Sequence, residues 1–490
     1  MLRRVLFASL AVLMLTACAA PARTPTAPPP TATAIPTPLP PTETPAPTAT
    51  STVTPTVTPV PTSTPVPLIV EFEAAVAPAL RDRVLESLSE SDAVAASDGQ
   101  SATIQVGPGR TQRLAQWVYA AVVPFASLAN SLTWDQVQRF WAGDGAAPEE
   151  LALGGVAATL YVTEDVRAAL ESLLGAPSEE APIAVVARED LVDAAWAERP
   201  HSWAIVPFDE LEPRWKMLSL DGAHTWDRAL ELSSYPLALD LGFDGQRAEA
   251  LADELEDAEA WTNRDTSRIT TLIMTGCTAL VRATAYEMEV QGILYPAEKI
   301  GALLRSADIT HISNEIPFAY NCPFPDRNQE SLVFCSDPRY IELLRFVGTD
   351  VVELTGNHFQ DWGSQATLDT LDMYRAEDWP WYGGGSDLAD ASRALIMESN
   401  GNTLSFIGCN PVGPSYAWAT EDRPGAAPCD WEYMHAELTR LKQQVDVPIA
   451  TFQYWEHYQY EATLQQQEDF RGMVDAGAAI VSGSQSHHPQ

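Results

Sequence analysis

Residues 351–363 read VVELTGNHFQDWG. Val351, Val352 and Leu354 make a short apolar run of the kind that forms a buried strand. The run stops at Gly356, Asn357, His358 and Asp361 follow, and a helical pattern resumes at Ser364. In an open α/β sheet, ligands bind beyond the carboxyl ends of the strands, so a polar cluster at that point marks a candidate site. An amide carbonyl and an imidazole also suit a divalent transition metal. A single Asn-His pair also fits the cap of the next helix, so the weight of the reading lies in whether the pattern recurs.

It recurs along the last third of the chain. A strand at Thr270–Thr275 ends at Gly276-Cys277, and Asp308–Ser313 ends at Asn314-Glu315. Leu404–Gly408 ends at Cys409-Asn410, Pro448–Phe452 ends at Gln453 with Glu456 and His457 behind it, and Ala478–Ser482 ends at Gly483 to His488. Helical patterns at Pro338–Phe346, Ser364–Arg375 and Gln465–Asp475 lie between several of these strands. This alternation predicts an α/β fold whose strands deliver polar side chains to one edge.

The full chain has 490 residues, enough for about three domains. Its 29 basic and 66 acidic residues give a net charge of −37, which excludes nucleic acid as a partner because phosphate contacts need basic patches. Residues 1–18 read as an export signal, with Arg3 and Arg4 before the apolar run Val5–Met14. The segment Leu15-Thr16-Ala17-Cys18 resembles a bacterial lipobox, which implies lipidation at Cys18 and anchorage at the outer face of the bacterial cell membrane. Residues 19–67 are almost entirely Pro, Thr, Ala, Ser and Val, a semi-rigid stalk without a core.

Residues 68–265 read as a first α/β domain, with strands at Val118–Pro124, Ile183–Ala187 and Trp203–Pro207 and a Thr133-capped helix through Trp141. Residues 121–144, 202–222 and 234–243 resemble the solute-binding proteins of phosphate-type transporters, although no Ser/Gly-rich anion loop is evident. An acidic stretch near 244–268 separates this region from the next.

Residues 268–490 resemble the capsule-synthesis CapA family, also called poly-γ-glutamate biosynthesis proteins. The resemblance rests on Asn314-Glu315, on Gly356-Asn357-His358 with Asp361, on Gln453-Tyr454-Trp455-Glu456 and on Gly483 to Gln490, together with the helix texts LDTLDMYRAEDW and FRGMVDAGAAIVSG. It implies a metallophosphatase-like α/β sandwich preceded by the smaller binding-protein-like α/β domain. It also implies a divalent metal (Mn, Zn or Fe) on Glu315, Asn357, His358 and His487, with His358 and Asp361 catalytic and Gln453, Glu456 and Gln485 meeting substrate. The partner it implies is an exported anionic polymer or capsule precursor. Members of that family continue past the terminal motif, so a fragment or a truncated homologue is expected here.

Three departures bear on the chemistry. The family's first metal-binding Asp corresponds to Cys277, and imidazole positions correspond to Gln453 and Gln485. A thiol replaces a bridging carboxylate poorly for hard cations. Two functions therefore stay open: a metal-dependent hydrolase or transferase of a polymer, and a non-catalytic protein that binds or organises one.

Cys322 and Cys335 flank one loop and Cys409 and Cys429 another, so local disulfides would staple both. Four cysteines allow three pairings, and the sequence does not choose among them. Gly383-Gly384-Gly385 reads as a turn, since it lacks the Lys-Ser/Thr of a nucleotide loop. The aromatic group Phe452, Tyr454, Trp455, Tyr458 and Tyr460 could stack on a sugar or line a groove, but aromatics near a strand end are more often core.

Overall fold

A computed structural model describes residues 68–88, 94–96, 100–125, 127–144, 151, 156–255 and 261–488. The export signal with Cys18 and the stalk at 19–67 lie outside the described residues. Among the described residues, no helix is long and apolar enough to cross a membrane.

The first region is built on one long strand. Its sheet includes β1 (Ile69–Phe72), β2 (Ile104–Pro108), β3 (Gln112–Pro124), β4 (Thr159–Val162), β5 (Ile183–Val185), β6 (Ser202–Pro207) and β7 (Ala238–Gly245), in the order β1-β2-β7-β3-β6-β4-β5. β3 is buried along almost its whole length, which explains why LAQWVYAAVVP reads as a continuous apolar run and not as an alternation. Helix α1 (Trp134–Trp141) starts in a capping box, with Thr133 and Gln136 satisfying each other's backbone N–H groups. It buries Val137, Phe140 and Trp141, with the Phe140 ring edge-on to Trp203 of β6.

The second region holds two four-stranded sheets. One runs β8 (Leu272–Thr278), β9 (Ile309–Asn314), β10 (Val351–Glu353), β11 (Trp381–Tyr382), all parallel. The other runs β12 (Leu395–Ser399), β13 (Asn402–Cys409), β14 (Val447–Gln453), β15 (Ile480–Ser484). It is parallel except for the β12–β13 hairpin. Ile309, Val351 and Tyr382 of the first sheet meet Leu404, Phe406 and Ile449 of the second, so the sheets pack face to face.

Helices cover both outer faces. On the first sheet, α2 (Arg282–Gln291), α3 (Ile341–Phe346) and α4 (Gly363–Ala376) pack Met288, Leu344 and Leu371 against Ile312 and Val352. On the second, α5 (Trp431–Leu441) and α6 (Leu464–Ala476) pack Leu438 and Met473 against Ile407 and Ala450. Each such buried aliphatic side chain contributes about 1.5–3 kcal/mol. The result is the helix–sheet–sheet–helix sandwich that the resemblance implied.

Strand alternation explains how one short strand serves two layers. In β9, Ile309 and His311 face the opposing sheet while Ile312 faces the helices. The structure joins Cys322 to Cys335 and Cys409 to Cys429, the local pairing. Arg228 pairs with Asp308 at 2.8 Å and so ties the first region to the start of β9.

Candidate functional site

Parallel pairing with Ser313 opposite Glu353, Thr278 opposite Asn314 and Gln453 opposite Ser484 brings the carboxyl ends of the strands to a common edge. Glu315 directly follows β9 and is almost fully buried. Gln453 ends β14 in the opposite sheet. Its amide N–H₂ donates to Glu315 Oε1 and to Asn357 Oδ1, both at 2.7 Å, so one side chain bridges the two sheets. Its own carbonyl accepts from the Ser484 hydroxyl at 2.6 Å. Gln485 donates to the same Glu315 oxygen at 3.0 Å, and the Cys277 thiol donates to the other oxygen at 2.7 Å.

Burial of the sulfur, then the charge and hydrogen bond of Glu315 and the charge of Glu353, push the Cys277 pKa upward. The residue as a whole sits on an exposed strand end. The sulfur itself is nevertheless buried and faces two carboxylates, and all of these act in the same direction. Cys277 therefore stays a thiol and a donor.

A few residues away, His358 Nδ1 donates to Asp361 Oδ2 at 2.7 Å. The Asp361 side chain is fully buried and also accepts from the Phe334 backbone N–H and the Tyr416 hydroxyl. Phe334 stands edge-on to the imidazole at 4.9 Å. Burial opposes protonation of His358, but the hydrogen bond and charge of Asp361, with Glu315 and Glu456 beyond, outweigh it and raise the imidazole's pKa.

The expected residues thus fall into three groups. Glu315, Asn357, Gln453 and Gln485 meet in one network, and His358 pairs with Asp361. His487 turns instead to the 454–461 loop, stacked on Tyr458 and 3.7 Å from Glu456. Gln485 and His487 hold φ values of 77° and 56°, in the left-handed region that non-glycine residues seldom adopt. The aromatic group divides. Phe452 and Tyr454 are buried, whereas Trp455, Tyr458 and Tyr460 are exposed, because β14 ends at Gln453 and the chain continues as a surface loop. Phe334 and Tyr416 were not anticipated, since each enters the site from a loop that carries no periodic signal; Ser484 lies in the terminal motif, but the sequence assigned it no role.

This donor set does not fit a divalent cation. A metal needs lone pairs from several ligands, whereas both Glu315 oxygens already accept protein donors, two amide N–H groups and a thiol. Among the described residues, no three or more His, Cys, Asp and Glu side chains converge as metal ligands.

The sequence model of a family described as bacterial capsule synthesis protein PGA_cap matches residues 271–490. The match supports the family resemblance for residues 271–490. The chain is 25% identical over 188 residues to the PGA biosynthesis protein CapA of Bacillus subtilis, covering 38% of this chain and 48% of that protein. It is 25% identical over 153 residues to the capsule biosynthesis protein CapA of Bacillus anthracis, covering 30% and 36%. A probable polyglutamine synthesis accessory protein of Mycobacterium tuberculosis is 24% identical over 196 residues, covering 38% and 51%. The chain therefore spans about half the length of these relatives or less. Among solved structures, an ABC-type phosphate transport receptor from Vibrio cholerae aligns at a TM-score of 0.32 and 15% identity, over 40% of this chain and 96% of that one. A phosphatase from Mycoplasma pneumoniae aligns at 0.27 and 14%, over 44% and 64%. Neither score is high enough to carry an argument.

Proposed function

We propose that this chain is an exported, lipid-anchored envelope protein that binds or organises a capsule polymer, and that its strand-end site works without a metal ion. The observation that carries the reading is Glu315, whose two oxygens are both taken by Gln453, Gln485 and Cys277. A carboxylate held in this way is a fixed structural acceptor, and its charge is matched by donors instead of a cation. The capsule and poly-γ-glutamate names of the relatives support the polymer, and the lipobox-like segment ending at Cys18 supports the anchor.

A hydrolase is the second reading, and one observation favours it. The His358–Asp361 pair has the geometry of a general acid or base with its orienting carboxylate. One experiment separates the two. Full-length protein stripped with EDTA is tested for binding to poly-γ-glutamate and to purified capsular polysaccharide, with and without added Mn²⁺ or Zn²⁺, while chain length of the polymer is followed. Binding that is indifferent to metal, with no shortening of the polymer, supports the proposal. Loss of binding on EDTA treatment, or depolymerisation abolished by His358→Ala, overturns it. Release from membranes on Cys18→Ala is expected as well, and unchanged membrane association would remove the anchor.

A further inference from the structure

Beside the Glu315 network, the loop after β14 exposes three aromatic side chains within six residues. Trp455, Tyr458 and Tyr460 are 47%, 57% and 72% exposed. Each is braced from behind by another ring. Tyr458 stacks on His487 with centroids 4.3 Å apart and planes 13° from parallel, and Tyr460 lies on His488 at 4.4 Å. Trp455 stands edge-on to buried Tyr454 at 4.9 Å. The His457 backbone N–H donates to the Gln485 carbonyl, which fastens the loop to the end of β15. Exposed rings held in place have already lost much of the rotamer freedom that a ligand would otherwise have to remove. Exposed aromatic side chains grouped in one loop are a candidate interaction site.

We infer that this aromatic–imidazole platform is a saccharide subsite that stacks the faces of uncharged pyranose rings, an inference that rests on the polymer-binding reading above. Charge selects the ligand. The chain carries −37 overall, and Glu456 and Glu461 lie in the loop itself, so a polyanion approaches against repulsion. Among the loop's carboxylates, a cationic ligand would have Glu461 alone to pair with. Glu456 is already engaged, since it accepts from the Tyr458 hydroxyl at 3.2 Å and faces His487 at 3.7 Å. What remains open is flat apolar ring surface edged with hydroxyl and carboxylate groups, which matches a sugar's C–H face and its rim of hydroxyls.

Calorimetric titration of the full-length protein with cellohexaose, N-acetylchitohexaose, chitosan hexamer and poly-γ-glutamate tests this. At least one of the two neutral oligosaccharides should bind, and Tyr458→Ala with Tyr460→Ala should weaken it roughly tenfold or more. Tyr458→Phe, which keeps the ring, should retain most of the affinity. Because these side chains are exposed, the variants should unfold at the wild-type denaturant midpoint. The inference falls if neither neutral oligosaccharide binds, if the double variant binds as wild type does, or if only the chitosan hexamer binds. Poly-γ-glutamate binding that ignores both tyrosines would overturn the platform while leaving the polymer-binding reading in place. Failure of every polymer would overturn both.

Discussion

Replacing Gln453 with Leu tests the strand-end network at the side chain that joins its two sheets. Gln453 is almost fully buried and makes three hydrogen bonds, to Glu315, Asn357 and Ser484. A hydrogen bond to a charged group contributes about 1.5–3 kcal/mol and a neutral one about 0.5–1.5 kcal/mol. Leucine has a similar volume, so the cavity contribution is small, and the loss comes from acceptors and donors left without partners. Water can reach part of Asn357 and Ser484, and the expected cost is about 3 kcal/mol, dominated by Glu315. Urea unfolding at pH 7 measures it as a shift in midpoint at constant slope. Gln453→Glu sharpens the test by placing a second carboxylate against Glu315. Two carboxylates that close cannot both ionise freely, so the pair's folded pKa is raised. A raised folded pKa means the stability is present at low pH and is lost as pH rises through the carboxylate range. This variant should therefore be markedly more stable at pH 5 than at pH 8. The reasoning is refuted if Gln453→Leu lies within about 0.5 kcal/mol of wild type, or if Gln453→Glu shows no such pH dependence.

Other expectations follow from single contacts. Asp361→Asn removes the carboxylate that raises the His358 pKa, so the imidazole's NMR titration midpoint should fall, and an unchanged midpoint would refute the pairing. In wild type the pair's stabilisation is present below the unfolded imidazole value near 6.5 and fades as pH rises through the folded one. Asp308 is held well below the ordinary carboxylate range: burial opposes this, but Arg228 and the Thr271 N–H and hydroxyl outweigh it. Its stabilisation is present above about pH 4 and lost at lower pH, so the gap between wild type and Asp308→Asn should shrink on acidification. A gap independent of pH would contradict that assignment. Replacing Cys409 and Cys429 together with Ser should lower stability by about 3 kcal/mol in thermal or urea unfolding, and a loss near zero would mean the bond adds no constraint to the unfolded chain.

The second region was largely legible in its sequence because its strands are short apolar runs that stop abruptly. Val351, Val352 and Leu354 are all buried, and the polar residues after them lie at the carboxyl edge, where the α/β rule places a site. Two things were not legible. Period and composition treat Tyr458 and Tyr460 like Phe452, yet β14 ends at Gln453, and that one boundary decides which rings are core and which face water. His487 likewise sits in a motif that the family resemblance reads as a ligand, but the left-handed backbone at Gln485 and His487 accompanies an amide aimed at Glu315 and an imidazole stacked on Tyr458. Backbone handedness at non-glycine residues leaves only a weak sequence signature, an enrichment of Asn, Asp and His.

The three departures from the family pattern look independent along the chain, since Cys277, Gln453 and Gln485 lie on three different strands or strand ends. In space they meet at a single carboxylate. Cys277 supplies one donor to Glu315 Oε2, and Gln453 and Gln485 supply two to Oε1. A lone substitution among them would leave Glu315 buried with an incomplete set of partners, a cost of several kcal/mol for an unpaired charge. Together they replace groups that could give lone pairs to a cation with neutral groups that give hydrogens to an anion. On the reading proposed above, the change is one of sign at one site: hydrogen-bond donors balance the charge that a metal would otherwise balance. Reversal at one position alone is expected to destabilise the site, and Cys277→Asp by itself should place a like charge against Glu315 and lower the urea midpoint at pH 7. Only the joint variant Cys277→Asp, Gln453→His, Gln485→His should gain Zn²⁺ or Mn²⁺, read as metal stoichiometry by mass spectrometry. A wild-type chain that takes up either metal at equal stoichiometry would refute the argument.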